Sequence, residues 1–362
     1  MVGRVLVPCV DLEETLAFFT STVGMRIERI SPADSPREVD LSGGGLALRL
    51  VRSVDADGSS VALELDATID LRPGVLVAPN GTRVDVVERS RRFSLPELDE
   101  SLVVSRLAEA EGFGAGRAGM GYRDLIPSRL GGRFIASHIR IAEGGEVPDY
   151  AHFHRIRFQL IYVRRGWVRV VYEDQGESFV MNPGDCVIQP PEIRHRVLES
   201  SAGLEVVEIG CPAEHDTFAD HDIELPTGRV LPDRDYGGQR FVRDIAAEAM
   251  WEPWRVAGYE VRQTEVAEAT DGLAGVRTIR PGAAGSADVA RVTHDGEFAF
   301  YFVLDGSIDL AVEHRTESLV GGDSVAVPSG LDHSWARPSS DLQLLEVTLP
   351  AAPAFTLVAA DG

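Results

Sequence analysis

The sequence predicts a mainly β chain: a small α+β head of the order β-α-β-β-β, followed by two copies of one β domain in tandem. Three observations predict it. Residues 1–92 set one helix among short strands. From about Gly121 onward strands dominate, with turn signals at short spacing, the pattern of a sandwich or barrel. Within that second region, two long patterns recur at a nearly constant offset.

In the head, "RVLVPCV" reads as a strand. "DLEETLAFFTSTVG" reads as a helix, because Leu12, Leu16 and Phe19 form an apolar stripe and Gly24 is a stop signal. The alternating runs "MRIERI", "REVDLSG" and "LALRLVRS" follow, divided by Gly, Ser and Pro, and "APNGTRVDVVE" adds a closing turn and strand. Residues 93–120 read as a linker, partly helical, that runs into a glycine-rich stretch. The first β domain is assigned to 121–239 and the second to 240–362. The stretch "RFVRDIAAEAMWEPWRV", 240–256, reads as a helix or an irregular connector.

The repeat supports the tandem assignment. "GYRDLIPSRLGGRFIASHIRIAEGG" is matched by "GYEVRQTEVAEATDGLAGVRTIRPG", and "PGDCVIQPPEIRHRV" by "GGDSVAVPSGLDHSW". His294 lies 140 residues after His154, Gly306 lies 140 after Gly166, and His333 lies 138 after His195.

Composition narrows the function. A net charge of −22 repels nucleic acid and anionic membranes, so the expected partner is a small molecule or another copy of the chain. All 35 basic residues are arginine, which removes Schiff-base lysine chemistry and the P-loop lysine. No apolar run is long enough to span a bilayer, and the start lacks the order of a signal peptide, so a cytoplasmic protein is expected. Cys9, Cys186 and Cys211 form no CxxC and read as small half-buried hydrophobes.

The chemistry concentrates in "HFHRIRFQ", residues 152–159. On an extended strand His152 and His154 share a face. "RIR" turns the chain, and Gln159 starts the returning strand. "MNPGDC" is a turn, "VIQPP" a strand with a proline exit, and His195 follows the next bend. Three imidazoles and one amide could thereby converge inside a β barrel, and imidazole suits Fe, Zn, Cu and Ni. The alternative is three structural histidines satisfied by backbone groups.

Two stretches, "GEVPDYAHFHRIRFQLIYVRRG" and "GDCVIQPPEIRH", resemble the two motifs of the cupin superfamily. The resemblance implies two jelly-roll barrels and metal-ligand roles for His152, His154 and His195. There are two departures: Gln159 stands at the family's glutamate, and Glu192 at the glycine of its Pro-x-Gly turn. In the second copy Val292 and Ala299 stand where His152 and Gln159 do, leaving His294 and His333, a degenerate site expected to be metal-free.

The resemblance to bicupin dioxygenases implies a mononuclear non-haem enzyme. Fe(II) is the first metal expected, with Mn, Ni or Zn as alternatives, and O2 would oxidise or cleave a small anionic chelating substrate. A neutral donor set leaves the charge of a divalent ion uncompensated and so favours an anionic chelator. Gln159 is expected to bind or gate the metal, and Tyr162 and Arg157 to orient substrate. The other readings are a non-oxidative isomerase, cyclase or lyase, and a ligand-binding cupin without catalysis.

The head resembles the vicinal-oxygen-chelate (glyoxalase-like) superfamily through "VLVPCVDLEETLAFFTSTVGMRI" and "APNGTRVDVV". Arg4 and Asp85 fall at that family's metal positions. An arginine cannot ligate, so no metal is expected there, and the head's role is assembly, in a homodimer. His138 reads first as a structural histidine, with a supporting place beside the pocket as the alternative, and Arg140 and Arg277 are assigned to matching positions that are either barrel-lining or solvated. His215, His221 and His314 are expected on the surface.

Overall fold

The computed structural model describes residues 3–56, 58–65, 72, 74–88, 94–282, 290–312 and 314–358. The chain divides into two compact units, Met1–Arg91 and Arg92–Gly362. The junction at 89–93, where the head was expected to end, lies outside the described residues.

The first unit has the expected order. Strand Val5–Cys9 leads to helix Leu12–Ala17, which continues as a π-turn at Phe18–Thr22, and strands Arg26–Ser31, Glu38–Gly43 and Leu46–Arg52 follow. Asp11 caps the helix by accepting from the Glu14 backbone N–H at 2.9 Å. Val5–Cys9 pairs in parallel with Leu46–Arg52, and the other two strands extend the sheet antiparallel. Leu12 and Phe19 of the predicted stripe are buried on it, and Leu16 packs at the margin. Arg4 belongs to a charge cluster: its Nε lies 3.2 Å from the buried carboxylate of Asp40, which Arg29 and Arg49 also hold. Asp85 pairs with Arg83. No helix among the described residues is long and apolar enough to cross a membrane.

In the second unit each repeat folds into two facing sheets. The large sheet of the first barrel contains Phe158–Arg165, Leu204–Cys211, Ile135–Ile141 and Cys186–Ile188, and its small sheet contains Val168–Tyr172, His195–Ser200 and His152–His154. The second barrel repeats this with Phe298–Asp305, Gln343–Leu349, Gly275–Pro281 and Ser324–Val327, opposite Ser307–Val312, His333–Ala336 and Val292–His294. The two large sheets bury one shared core, in which Phe158, Leu160 and Tyr162 meet Phe298, Phe300 and Phe302. Phe134 stacks on Phe298 with centroids 4.1 Å apart.

The linker differs from expectation. Residues 94–120 contain no α-helix, only short 3-10 turns at Leu107–Glu109 and Arg117–Gly119. Val103–Ser105 is instead a strand that pairs with Ser324–Val327 of the second barrel. The 240–256 stretch is irregular, and its Val242–Asp244 strand pairs with Cys186–Ile188 of the first barrel. Each large sheet is therefore completed by the segment that leads into the other barrel. The cause is period-2 burial: Val103 turns to the shared core and Val104 to the interior of the second barrel. A strand on that edge also covers backbone groups that a helix would leave exposed.

Register corrects one pairing read from sequence. Ser137 lies opposite Glu208, and Arg277 lies opposite Glu346. The counterpart of Arg277 is therefore Ser137, an interior position, whereas Arg140 is exposed and matches Arg280.

Candidate metal centre

The antiparallel register sets His152 directly across from His195. The His152 and His195 ring centroids are 4.2 Å apart, and His154 lies 5.2 and 5.3 Å from them. One ligand nitrogen from each ring falls within 4.8 Å of the others. Among the described residues this is the group of His, Cys, Asp and Glu side chains that could hold a metal ion.

The surroundings orient these rings. His152 Nδ1 lies 2.9 Å from the Tyr150 carbonyl and His195 Nδ1 lies 3.0 Å from the Ile193 carbonyl. A carbonyl only accepts, so each Nδ1 carries the proton and the lone pair sits on Nε2. His154 Nδ1 is 2.9 Å from the Thr217 hydroxyl. Outward bonds of this kind fix the tautomer and plane of metal-binding imidazoles, and the set fits a divalent ion.

The tight turn before His195 keeps the geometry of its motif without the glycine. Glu192 adopts φ +62°, and Gly330 at the same place in the second barrel adopts φ +72°. An L-residue there is strained. Glu192 is held by its N–H to the His154 carbonyl at 3.0 Å and by Arg155, whose Nε donates to its carboxylate at 3.1 Å.

Gln159 is buried in the wall of the same cavity. Its Nε2 donates to Glu208 Oε1 at 2.6 Å, and its Oε1 has no hydrogen-bond partner. A buried amide oxygen left this way is a place for a cation or a proton donor. Glu208 was not singled out in the sequence, and it changes the charge balance: the wall behind the neutral donors carries a carboxylate. Its counterpart Glu346 occupies the same rung of the other barrel, which is the signal that would have found it. His215 also lines the cavity, its ring 5.3 Å from His154, rather than standing on the surface.

Tyr162 and Arg157 are elsewhere. On strand Phe158–Arg165 the side chains alternate, so Gln159 and Ile161 face the cavity while Phe158, Leu160 and Tyr162 face the other barrel. The Tyr162 hydroxyl bonds the Thr278 hydroxyl at 3.0 Å, and burial pushes its pKa up. Arg157 pairs with Glu297 of the second barrel at 3.0 Å. Both are contacts between barrels, not substrate-orienting groups. Tyr162→Phe is therefore expected to cost about 1 kcal/mol of stability, the worth of one buried hydrogen bond, and to leave turnover and metal content unchanged. A urea titration and a steady-state assay check the two halves. His138 likewise faces away from the cavity, bonded to Glu205 at 3.0 Å and edge-on to Phe302.

The cavity encloses about 290 Å³. In the second barrel larger side chains fill the space at the matching inner positions, and a cavity of about 240 Å³ lies instead beside Arg255, Arg277 and Phe355. Tyr301 replaces Ile161 and Trp335 replaces Val197, and the two rings meet at 4.8 Å. Its histidines are 6.1 Å apart, and His294 turns Nε2 to the Val327 carbonyl at 3.1 Å, with Nδ1 accepting from the Gly296 N–H. The fully buried Glu346 is neutralised by Arg255, at 2.5 Å, and by Arg277, at 3.6 Å.

Each repeat folds into a two-sheet barrel, and three imidazoles converge in the first of them. Residues 137–210 and 275–348 each match the family model described as "Cupin domain", so the chain carries two cupin domains in tandem. No match was found among curated proteins. Solved structures similar to this chain include oxalate decarboxylase from Bacillus subtilis at pH 4.6, with 14% identity, 75% of this chain and 81% of that chain covered, and a TM-score of 0.51. A form of the B. subtilis enzyme with one tryptophan changed to phenylalanine is also similar, at 13% identity, with 75% and 82% covered and a TM-score of 0.52. So is the Lactobacillus farciminis oxalate decarboxylase formate complex, at 13% identity, with 74% and 90% covered and a TM-score of 0.51. At such identities the likeness is one of fold.

Proposed function

We propose that the chain is a mononuclear metal-dependent enzyme that converts a small anionic chelating substrate inside the first barrel. The observation that carries this is the convergence of His152, His154 and His195, with Nδ1 of His152 and His195 anchored outward on backbone carbonyls, on a cavity wall that also holds Gln159 and Glu208. Bound there, a divalent ion supplies Lewis acidity that polarises and acidifies a coordinated oxygen. The protein's own groups do the rest. The three imidazoles would hold the ion, and Gln159 Oε1 is placed to accept a hydrogen bond from the substrate or to contact the ion. Glu208 fixes the amide through Nε2. Tyr172, whose hydroxyl accepts from Gln189 at 2.8 Å, closes the polar side. The apolar remainder keeps out water and strengthens each charge interaction.

Within this reading, an Fe(II) site that uses O2 is the first candidate, because three imidazoles suit iron and leave coordination positions for a bidentate substrate and O2. A non-oxidative lyase with manganese is the second reading. It is favoured by the fold neighbour whose description names Mn(II) centres in oxalate decarboxylase, at 14% identity and a TM-score of 0.50. Elemental analysis of protein purified without added metal, with an O2 electrode trace against catechols, enols and dicarboxylates, decides between them. Iron with O2 uptake supports the oxygenase, and manganese with anaerobic turnover supports the lyase. A chain without metal overturns both.

The head supports a reading as an assembly module of the glyoxalase-like type. The two edge strands of its sheet carry the exposed side chains Val5, Leu6, Ile27 and Ile30, and such edges seek a partner. A homodimer is expected, and sedimentation velocity giving a single-chain mass would rule it out.

A further inference from the structure

The first barrel is layered, and the layers describe the substrate. Following each strand by register, one rung is polar and the next is apolar. Ser137, Glu208 and Ile161 share a rung, and Ile139, Val206 and Val163 form the adjacent one. His195 pairs with Tyr172, and two residues along, Val197 pairs with Val170. The histidine cluster, on the facing sheet, lines the same cavity as Ser137 and Glu208. The cavity runs past it into the apolar rung, where Ile139, Val170, Val197 and Val206 line it.

A small polar anion such as oxalate would satisfy the first rung and leave the second empty. An apolar cavity of about 150 Å³ takes up benzene, and this one encloses about 290 Å³, space for one ring beside a chelating head. The second barrel is an internal control. At the same rungs Leu310 stands for Val170, Trp335 for Val197 and Tyr301 for Ile161, and the space is packed with the chain's own side chains. The first barrel keeps small residues where its copy has large ones.

We infer that the substrate is an amphipathic chelator: two oxygens spaced to bind one ion, at least one of them anionic when bound, joined to an apolar body about the size of a six-membered ring. The inference rests on the proposed metal centre, because the oxygens need an ion to bind. The body occupies the Val170–Val197 rung while the head faces His152, His154 and His195.

The test uses the metal-loaded chain and three probes: oxalate, pentane-2,4-dione and 1-phenylbutane-1,3-dione. The last two share a chelating head and differ in the body. Calorimetric titration is expected to give the phenyl compound at least tenfold tighter binding than either of the others. Ile161→Tyr with Val197→Trp, which copies the second barrel, is expected to remove that advantage while elemental analysis shows metal content unchanged. Val170→Leu narrows the same rung by one methylene and is expected to weaken the phenyl compound at least threefold, a readout that survives if the double variant does not fold. A loaded protein that binds oxalate as tightly as the phenyl compound overturns the inference and leaves the metal reading standing. So does a Val170→Leu form with no loss. A chain that takes up no metal overturns both.

Discussion

Changing His152 to valine will leave a folded chain that no longer retains metal. Valine is the right probe because Val292 stands at this position in the second barrel and pairs with His333 in the register that His152 makes with His195. The strand therefore accepts an apolar side chain, and the metal-free variant should match the metal-free parent within about 1 kcal/mol, the usual range for a change that breaks no packing. What is lost is one of three imidazoles, at the centre of the cluster: His152 is the nearest ring neighbour of both His154 and His195. Catalytic metal sites are held by about three protein ligands, and two leave only a weak chelate. Metal content by elemental analysis should fall from near one per chain to below about a tenth. Binding to the folded state stabilises it by mass action, so added metal should raise the melting temperature of the parent and not of the variant. A variant that keeps stoichiometric metal, or a parent indifferent to it, would remove the basis for the proposed chemistry.

How much of this centre the sequence announces depends on whether the signal is local. His152 and His154 are two residues apart, and alternation alone puts them on one face. His195 follows a turn whose shape survives even with Glu192 in place of glycine. The repeat offset also fixes the tandem architecture. What sequence does not carry is which face of a doubly buried strand is the inside. Phe158–Arg165 is buried on both faces, so no polar contrast separates Gln159 and Ile161 from Leu160 and Tyr162. Only the presence of the second barrel decides that Tyr162 belongs to the contact with Thr278. The edge strand Val103–Ser105 was missed for a related reason: its partner lies more than 200 residues away, and three residues are too few to show a period. Glu208 sits between Val207 and Ile209 in a run that reads as ordinary core. Its recurrence as Glu346 was visible, but it lies outside any motif. His215 lies in an acidic run that suggested solvent, and the fold brings it beside His154.

The second barrel yields the largest expected change in stability. Glu346 is fully buried, and burial by itself would push its pKa up. Arg255, with its direct hydrogen bonds, then Arg277 and the Tyr301 hydroxyl together outweigh that and hold it below the usual glutamate range. Arg255→Met removes the guanidinium, which stacks on the Trp254 and Phe355 rings at 4.2 and 3.7 Å, and leaves the carboxylate with the Tyr301 hydroxyl and the more distant Arg277. Breaking a buried ion pair from one side costs about 3–5 kcal/mol, and with Arg277 still present about 2–4 kcal/mol is expected at pH 7. Arg255→Met with Glu346→Leu removes both charges and should cost less than the single change, because no unpaired charge is left in the interior. The pH dependence has a definite sign. In the parent the depressed pKa gives stability that is present above the unfolded value, about 4.3, and is lost as the pH falls through the lower folded value. In Arg255→Met burial is opposed by less positive charge, so the folded pKa rises and protonation relieves the cost. The gap between variant and parent should therefore shrink from pH 7 to about pH 5. Urea titrations at the two pH values measure it. A double variant as unstable as the single one, or a gap that widens on acidification, would mean that Glu346 does not depend on Arg255, and that the neutralised interior of this barrel is held by packing around Tyr301 and Trp335 instead.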